Sequence, residues 1–264
     1  MPALSPSQLY QVAPSIFAGA AHERVSQRYG FVPTIEVIEA LRGEGWEPVR
    51  AQQTRVRDQS RREHTRHLVR FRQLHSPIQL NDALAELVLT NSHDGSSAYQ
   101  LDVGLFRLIC LNGMVTPLGE AGGIRVRHGK RVVDEVIEGS YALLEEVPQL
   151  ADSVGRLMEI DLKPAEQRLF AESSLHLRYG DDWEAKSPVA AAQLLDARRA
   201  EDRGNDLWRC FNRVQENLMK GGLRGRAKTG RRLRTRPICS VTEDLRLNRV
   251  LWRMAERFAE LKAA

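Results

Sequence analysis

Cysteine is scarce in this chain: Cys110, Cys210 and Cys239 stand far apart, with no CxxC pair. That argues against a disulfide framework and against a cysteine-rich zinc module, and it fits a reducing cytoplasm. No run approaches the ~18 consecutive apolar residues of a transmembrane helix, so no membrane partner is expected. Residues 1–11 lack the charged-then-apolar order of an export signal, and a cytoplasmic location is the expectation. The chain has no GxSxG elbow, no internal repeat and no convergent pair of carboxylates. Lys220-Gly221-Gly222-Leu223-Arg224-Gly225-Arg226 superficially resembles a phosphate loop. It lacks the GxxxxGK[ST] order and follows a helical segment rather than a strand. No cofactor, ATP or metal is therefore expected, and the chain reads as a non-enzyme. The enzymatic alternative is a metal-dependent nuclease using His93, Asp94 and a carboxylate from elsewhere, although the acid-rich site for two cations is not visible.

What the chain does have is uneven charge. Its 264 residues are 42% hydrophobic and 28% charged, an ordinary globular balance, and the net charge is only +5. Residues 50–72 carry eight arginines against Asp58 and Glu63, a net of +6. Residues 220–236 carry eight basic residues and no acid, a net of +8, which leaves the remainder at −9. An acidic body with two arginine-rich segments is the footprint of a polyanion binder. Arginine grips phosphate in two places and stacks on bases, which lysine cannot do. A solvated or partner-protein face is the plainer reading of such runs. An anionic membrane is disfavoured because no amphipathic apolar stripe flanks the arginines.

The pattern of elements predicts an α+β fold: an antiparallel β-meander packed against helices, a β-β-β-α-like core, followed by a mostly helical C-terminal half. Residues 1–30 read as a loosely docked arm, 31–130 as the core with a basic hairpin, and 131–264 as a helical region bearing the basic tract 220–236. Pro33-Thr34 opens a helix with Ile35, Val37, Ile38 and Leu41 on its apolar face, ended by Gly43 and Gly45. Strands are predicted over 49–57, 67–73, 86–91 and 98–102. Residues 106–112 are ambiguous between strand and helix. Helices follow over 132–150, 151–160, 163–178, 207–220 and 241–262. The tract after Gly221-Gly222 reads as mobile.

By the two-residue period, the 49–57 and 67–73 strands form a hairpin with an apolar back and an arginine-lined front. Arg55, Arg57, Arg66, Arg70 and Arg72 are its candidate phosphate contacts. Lys220, Arg224, Arg226, Lys228, Arg231, Arg232, Arg234 and Arg236 are those of the tract. Trp46, Trp208, Phe71 and Tyr99 are candidates to stack on unpaired bases, with core packing the commoner fate of such residues. Tyr99, beside the polar turn 91–97, is the one retained as a site residue. Within that turn, Ser92, Ser96 and Ser97 read as turn formers.

Several segments together are similar to one known family. They are Pro33-Thr34-Ile35, Gln53-Thr54-Arg55-Val56-Arg57-Asp58, Asn91-Ser92-His93-Asp94-Gly95-Ser96-Ser97, Asn112-Gly113, Val136-Ile137-Glu138-Gly139, Asn205-Asp206-Leu207-Trp208, and Arg213-Val214-Gln215-Glu216-Asn217 with Lys220-Gly221-Gly222-Leu223. On these, from about residue 14 to the last helix, the chain resembles the YfjQ/YafZ family of bacterial prophage and conjugative-plasmid proteins. The resemblance implies a mobile-element setting and brings no activity with it. The order of elements up to about residue 114 also resembles the core of single-strand annealing proteins of the Rad-fifty-two type. That layout implies an oligomer, a ring or filament of identical subunits, which binds single-stranded DNA and promotes annealing and recombination without ATP. The alternative is a protein-interaction module whose acidic body inhibits a host defence or restriction enzyme.

Overall fold

A computed structural model describes residues 2–26, 29–107, 112–116 and 123–263, with 112–116 described for backbone alone. Expectations for Cys110 and for the 119–122 loop lie outside these residues. The chain divides into two compact units, residues 1–150 and 151–264, and the division falls within one long helix. The α+β expectation holds: an antiparallel meander and its helices come first, and a mostly helical half follows.

In the first unit, α1 (Pro6–Val12) opens on a reciprocal cap between Ser5 and Gln8. A short 3-10 turn over Pro14–Phe17 follows it. Leu9, Ala13 and Ile16 are fully buried, so this segment is packed core and not a loose arm. Their four-then-three spacing gives one helical face. Pro14 breaks the helix between them, which disguised that face as weak periodicity.

Helix α2 (Thr34–Gly43) buries Val37, Ile38 and Leu41, with Glu36 at its positive end and Arg42 at its negative end. The sheet follows: β1 (Trp46–Gln53), β2 (His67–Gln73), β3 (Gln79–Leu80), β4 (Ala83–Asn91), β5 (Tyr99–Arg107), β6 (Asn112–Thr116) and β7 (Ile124–Val126). Its order is β1-β2-β4-β5-β6, antiparallel throughout, with β3 on β4 and β7 on β5. Of the stretch 106–112, Phe106 and Arg107 end β5 and Asn112 begins β6, and 108–111 lie outside the described residues.

Strand β4 is buried along its whole length, as a central strand covered on both faces must be. One face is apolar: Val69, Phe71, Leu87, Leu89, Leu101, Val103 and Leu105 lie together by register. The other face holds charge. Arg70 and Arg72 are each 3% exposed and both donate to the Glu86 carboxylate, at 2.9 and 2.6 Å. Arg72 also lies 4.3 Å from the centre of the Phe106 ring. The arginine-lined front expected of the β1–β2 hairpin is therefore corrected. The Arg70 and Arg72 guanidiniums are instead turned inside the protein, because a buried cation requires an anion beside it and Glu86 serves both. Nor do Arg55 and Arg57 lie on the strand, since β1 ends at Gln53.

The helix α3 (Val132–Glu159) runs unbroken through Pro148, where two helices were expected. The second unit continues with α4 (Pro164–Tyr179), α5 (Trp183–Lys186) and α6 (Leu207–Lys220), the last capped by Asp206 onto the Arg209 amide at 2.8 Å. Almost every residue of α6 is buried, including Arg213, Gln215, Glu216 and Asn217. Arg213 donates to the Asp202 and Gly204 carbonyls, Gln215 to Asn248, and Asn217 to the Leu194 and Asp196 carbonyls. The polar motif of this helix wires the unit together. The basic tract is not a mobile loop but a two-stranded ribbon, β8 (Arg224–Arg226) and β9 (Arg232–Arg234), before the closing helix α7 (Val241–Ala263).

Removing Glu86 would strand two cations out of water. Glu86→Ala is expected to lower unfolding stability by about 3–5 kcal/mol in a urea titration. A loss within about 0.5 kcal/mol, the range of surface changes, would mean that Arg70 and Arg72 reach solvent.

Candidate nucleic-acid interface

The ribbon of the second unit collects four of the expected contacts. Arg224 pairs with Arg234 and Arg226 with Arg232, while Gly225 pairs with Leu233 between them. Directly opposed residues share a face, so four arginines stand together on one side of the ribbon. The backbone pattern brings them closer still. Ala227 donates to the Arg231 carbonyl and Thr235 to that of Leu223, both across the ribbon. Arg226 donates outward to the Pro188 carbonyl at 2.9 Å, and the Arg224 carbonyl accepts outward from Gln193 at 2.8 Å. The two arginine pairs are therefore the non-hydrogen-bonded ones, whose side chains lie nearest each other. All four are exposed, and none has an ion-pair partner among the described residues.

Local sequence explains this shape. A Cβ on Gly225 would overlap the Pro188 carbonyl, so only glycine lets the ribbon sit against that segment. Gly230, at φ 78°, closes the connecting turn. Lys228 and Arg231 are exposed on the turn, and Arg236 is exposed beyond β9. A cleft of about 940 Å³ is lined by Pro188, Gln193 and ribbon residues. Lys220 stands apart from this group, since it is tied to Glu216 at 3.0 Å. Burial works to raise the Glu216 carboxyl, but donors from Arg199 and Lys220 outweigh it and hold that group below the usual range.

The first unit presents a smaller patch. Arg55, Arg57 and Arg62 are exposed without an ion-pair partner among the described residues. Arg55 and Arg62 line a cleft of about 380 Å³ with Gln11, Gln53, Thr54 and Gln59. Arg62 and the glutamines were not among the expected contacts, since a glutamine signals nothing until the fold gathers it. Arg66 is half-buried and donates to the Ser96 carbonyl at 3.1 Å. Arg70 and Arg72 belong to the interior, as described.

Tyr99 is likewise corrected. It is fully buried, donates to the Val32 carbonyl at 2.8 Å, and cannot stack on a base. It borders a buried network built from the family-like segments. The Thr34 hydroxyl lies 2.9 Å from His67 Nε2, 3.0 Å from His93 Nε2 and 3.0 Å from Asn91 Nδ2. His67 Nδ1 meets Ser15 Oγ at 2.8 Å and the Thr65 carbonyl at 3.2 Å, and Ser15 donates to Gln53. A carbonyl can only accept, so the His67 proton sits on Nδ1 and Thr34 donates to Nε2. Thr34 then accepts from Asn91 and His93. His128 stacks on Tyr29 at 4.3 Å nearby. Burial holds His67 at about 4 and His93 at about 3, and it also lowers His128. Thr34, His67, Asn91 and His93 are sealed from solvent and hold α2 to the sheet, and Ser92 is buried beside them in sequence, so Ser92 and His93 have no access to a substrate.

No group of histidine, cysteine and acidic residues among the described residues could hold a metal ion. Among those residues no helix is long and apolar enough to cross a membrane. Of the two described cysteines, Cys210 is buried, which pushes its thiol up to about 12, and Cys239 is exposed beyond the ribbon.

Comparison with known proteins finds the family model "Domain of unknown function (DUF932)" matching residues 21–252. The chain is 43% identical over 254 residues to the UPF0380 protein YafZ of Escherichia coli (strain K12) and 42% identical over 254 residues to its UPF0380 protein YfjQ. Each match covers 96% of this chain and 90% of the relative. No solved structure matches.

The buried histidines set an acid limit on the fold. Their folded values lie below the ordinary value near 6.5, so the unfolded chain takes up protons that the folded chain refuses. Stability is full above about pH 6.5 and drains as the pH falls toward 4 and then 3. From about pH 7 to pH 4 the urea midpoint is expected to fall steadily, with His67 alone accounting for about 3 kcal/mol. A flat midpoint over that range would show these rings to be solvated.

Proposed function

The chain belongs to the YfjQ/YafZ family, and we propose that it is a nucleic-acid-binding protein without catalytic chemistry of its own. The observation that carries this reading is the ribbon's two directly opposed arginine pairs. Like charges facing each other across a strand pair destabilise it, and no carboxylate among the described residues relieves them. Elsewhere the same chain sets a carboxylate against its arginines, as Glu86 stands against Arg70 and Arg72. A ribbon left cationic on one face suits a ligand that brings dense negative charge, and a phosphate backbone does so. Arg55 and Arg62 of the first unit line a second cleft of the same chemistry.

The reading accords with the mobile-element setting that the family resemblance implied. Strand annealing by an oligomer, the finer expectation, drew on the arginine front of the β1–β2 hairpin. With that front closed by Glu86, the ribbon takes over the role of anion contact.

Fluorescence anisotropy across a salt series tests the proposal. The Arg226→Ala/Arg232→Ala variant is expected to keep the urea midpoint of the parent chain or raise it slightly, since a like-charge pair is removed. It is expected to weaken binding and to flatten the log–log salt slope by about 2, close to one counterion per cation removed from the field of the nucleic acid. An unchanged slope would remove the ribbon from the interface.

A further inference from the structure

The ribbon's architecture discriminates among nucleic acids, and this step rests on the nucleic-acid reading above. We propose that β8 and β9 lie flat in the major groove of duplex DNA, with the arginine face toward the base edges and the outer edge of β9 along a phosphate strand.

Three features support this placement. The first is the asymmetry of the ribbon's edges. On β8, outward-facing backbone groups are taken by Pro188 and Gln193. On β9, the same alternation turns the N–H groups of Arg232 and Arg234 outward, where no partner is found among the described residues. One edge is thus fastened to the protein and the other offers two backbone donors in line. Backbone N–H groups are regular phosphate contacts in protein–DNA complexes.

The second feature is size and form. The ribbon is a two-stranded sheet separate from the seven-stranded one, and no third strand joins it among the described residues. The major groove of B-form DNA, about 12 Å wide, admits a two-stranded ribbon. The major groove of double-stranded RNA is deep and narrow, and side chains cannot read it. Arginine also matches what the groove displays, since its fork can take the O6 and N7 acceptors of guanine together.

The third feature is composition. Sites for single strands rely on aromatic side chains on which bases stack. Residues 220–240 contain no Phe, Trp or Tyr. The chain's buried aromatics include Tyr99, Trp46, Trp208 and Phe71, the four expected as stacking candidates. Cationic charge without stacking surfaces favours the duplex, which carries a negative charge about every 1.7 Å of its axis, twice the density of one strand.

The test uses the full chain and three probes of one sequence: duplex DNA, its single strand and the corresponding RNA duplex. At about 50 mM salt, duplex DNA is expected to bind about tenfold or more tightly than either of the others. In the complex, guanine N7 atoms are expected to be protected from dimethyl sulfate, and Arg226→Ala/Arg232→Ala is expected to abolish that protection. Single-stranded DNA or duplex RNA binding as tightly as duplex DNA would overturn the groove placement and leave the nucleic-acid reading standing. So would duplex binding without N7 protection. Failure to bind any of the three probes would overturn both.

Discussion

A guanidinium taken out of water must be given an acceptor in return, and this requirement sorts the arginines of the chain into two populations. Arg70, Arg72 and Arg213 are interior. Two of them share one carboxylate, and the third is held by backbone carbonyls and the Gln167 amide oxygen. Each makes its unit depend on geometry that a neutral residue would not demand. Arg224, Arg226, Arg232 and Arg234 are the opposite case, crowded on one surface and left to water. Charge counts taken along the sequence cannot separate the two populations, because both contribute equally to a basic window.

The segments diagnostic of the family also prove to be largely architectural. Thr34, Asn91 and His93 meet in one polar knot, although they come from two distant segments. Arg213, Gln215 and Asn217 on α6 each reach a different part of the second unit. Buried polar groups of this kind tolerate few substitutes, since each replacement leaves a donor or acceptor unmatched. Sequence signature and working surface are therefore different parts of this molecule.

Much of the fold was legible from periodicity. Helix α2, strand β2, and helices α4, α6 and α7 lie where the apolar spacing put them, because their burial is local and regular, while β4 begins three residues earlier than expected. The misread parts share a cause. Arg66, Arg70 and Arg72 alternate with apolar residues as an exposed front would, and only the fold reveals that Glu86, 14 residues beyond Arg72, lies against Arg70 and Arg72 and that Arg66 turns to the Ser96 carbonyl. Likewise Arg-Gly-Arg and Arg-Leu-Arg carry the two-residue alternation of a strand pair. Their glycines and charges masked it, since the apolar signal that usually announces a strand is nearly absent there. Tyr99 borders a polar turn in sequence but points inward to Val32, a contact no spacing announces.

The contrast between the two described cysteines has a practical side. Only a deprotonated thiol attacks an alkylating reagent, and access matters as much as acidity. Cys210 fails on both counts while the second unit stays folded, whereas Cys239 sits in the open five residues past Arg234. Between these two, the native chain offers a maleimide dye one attachment point, close enough to the ribbon for its emission to register occupancy of that surface.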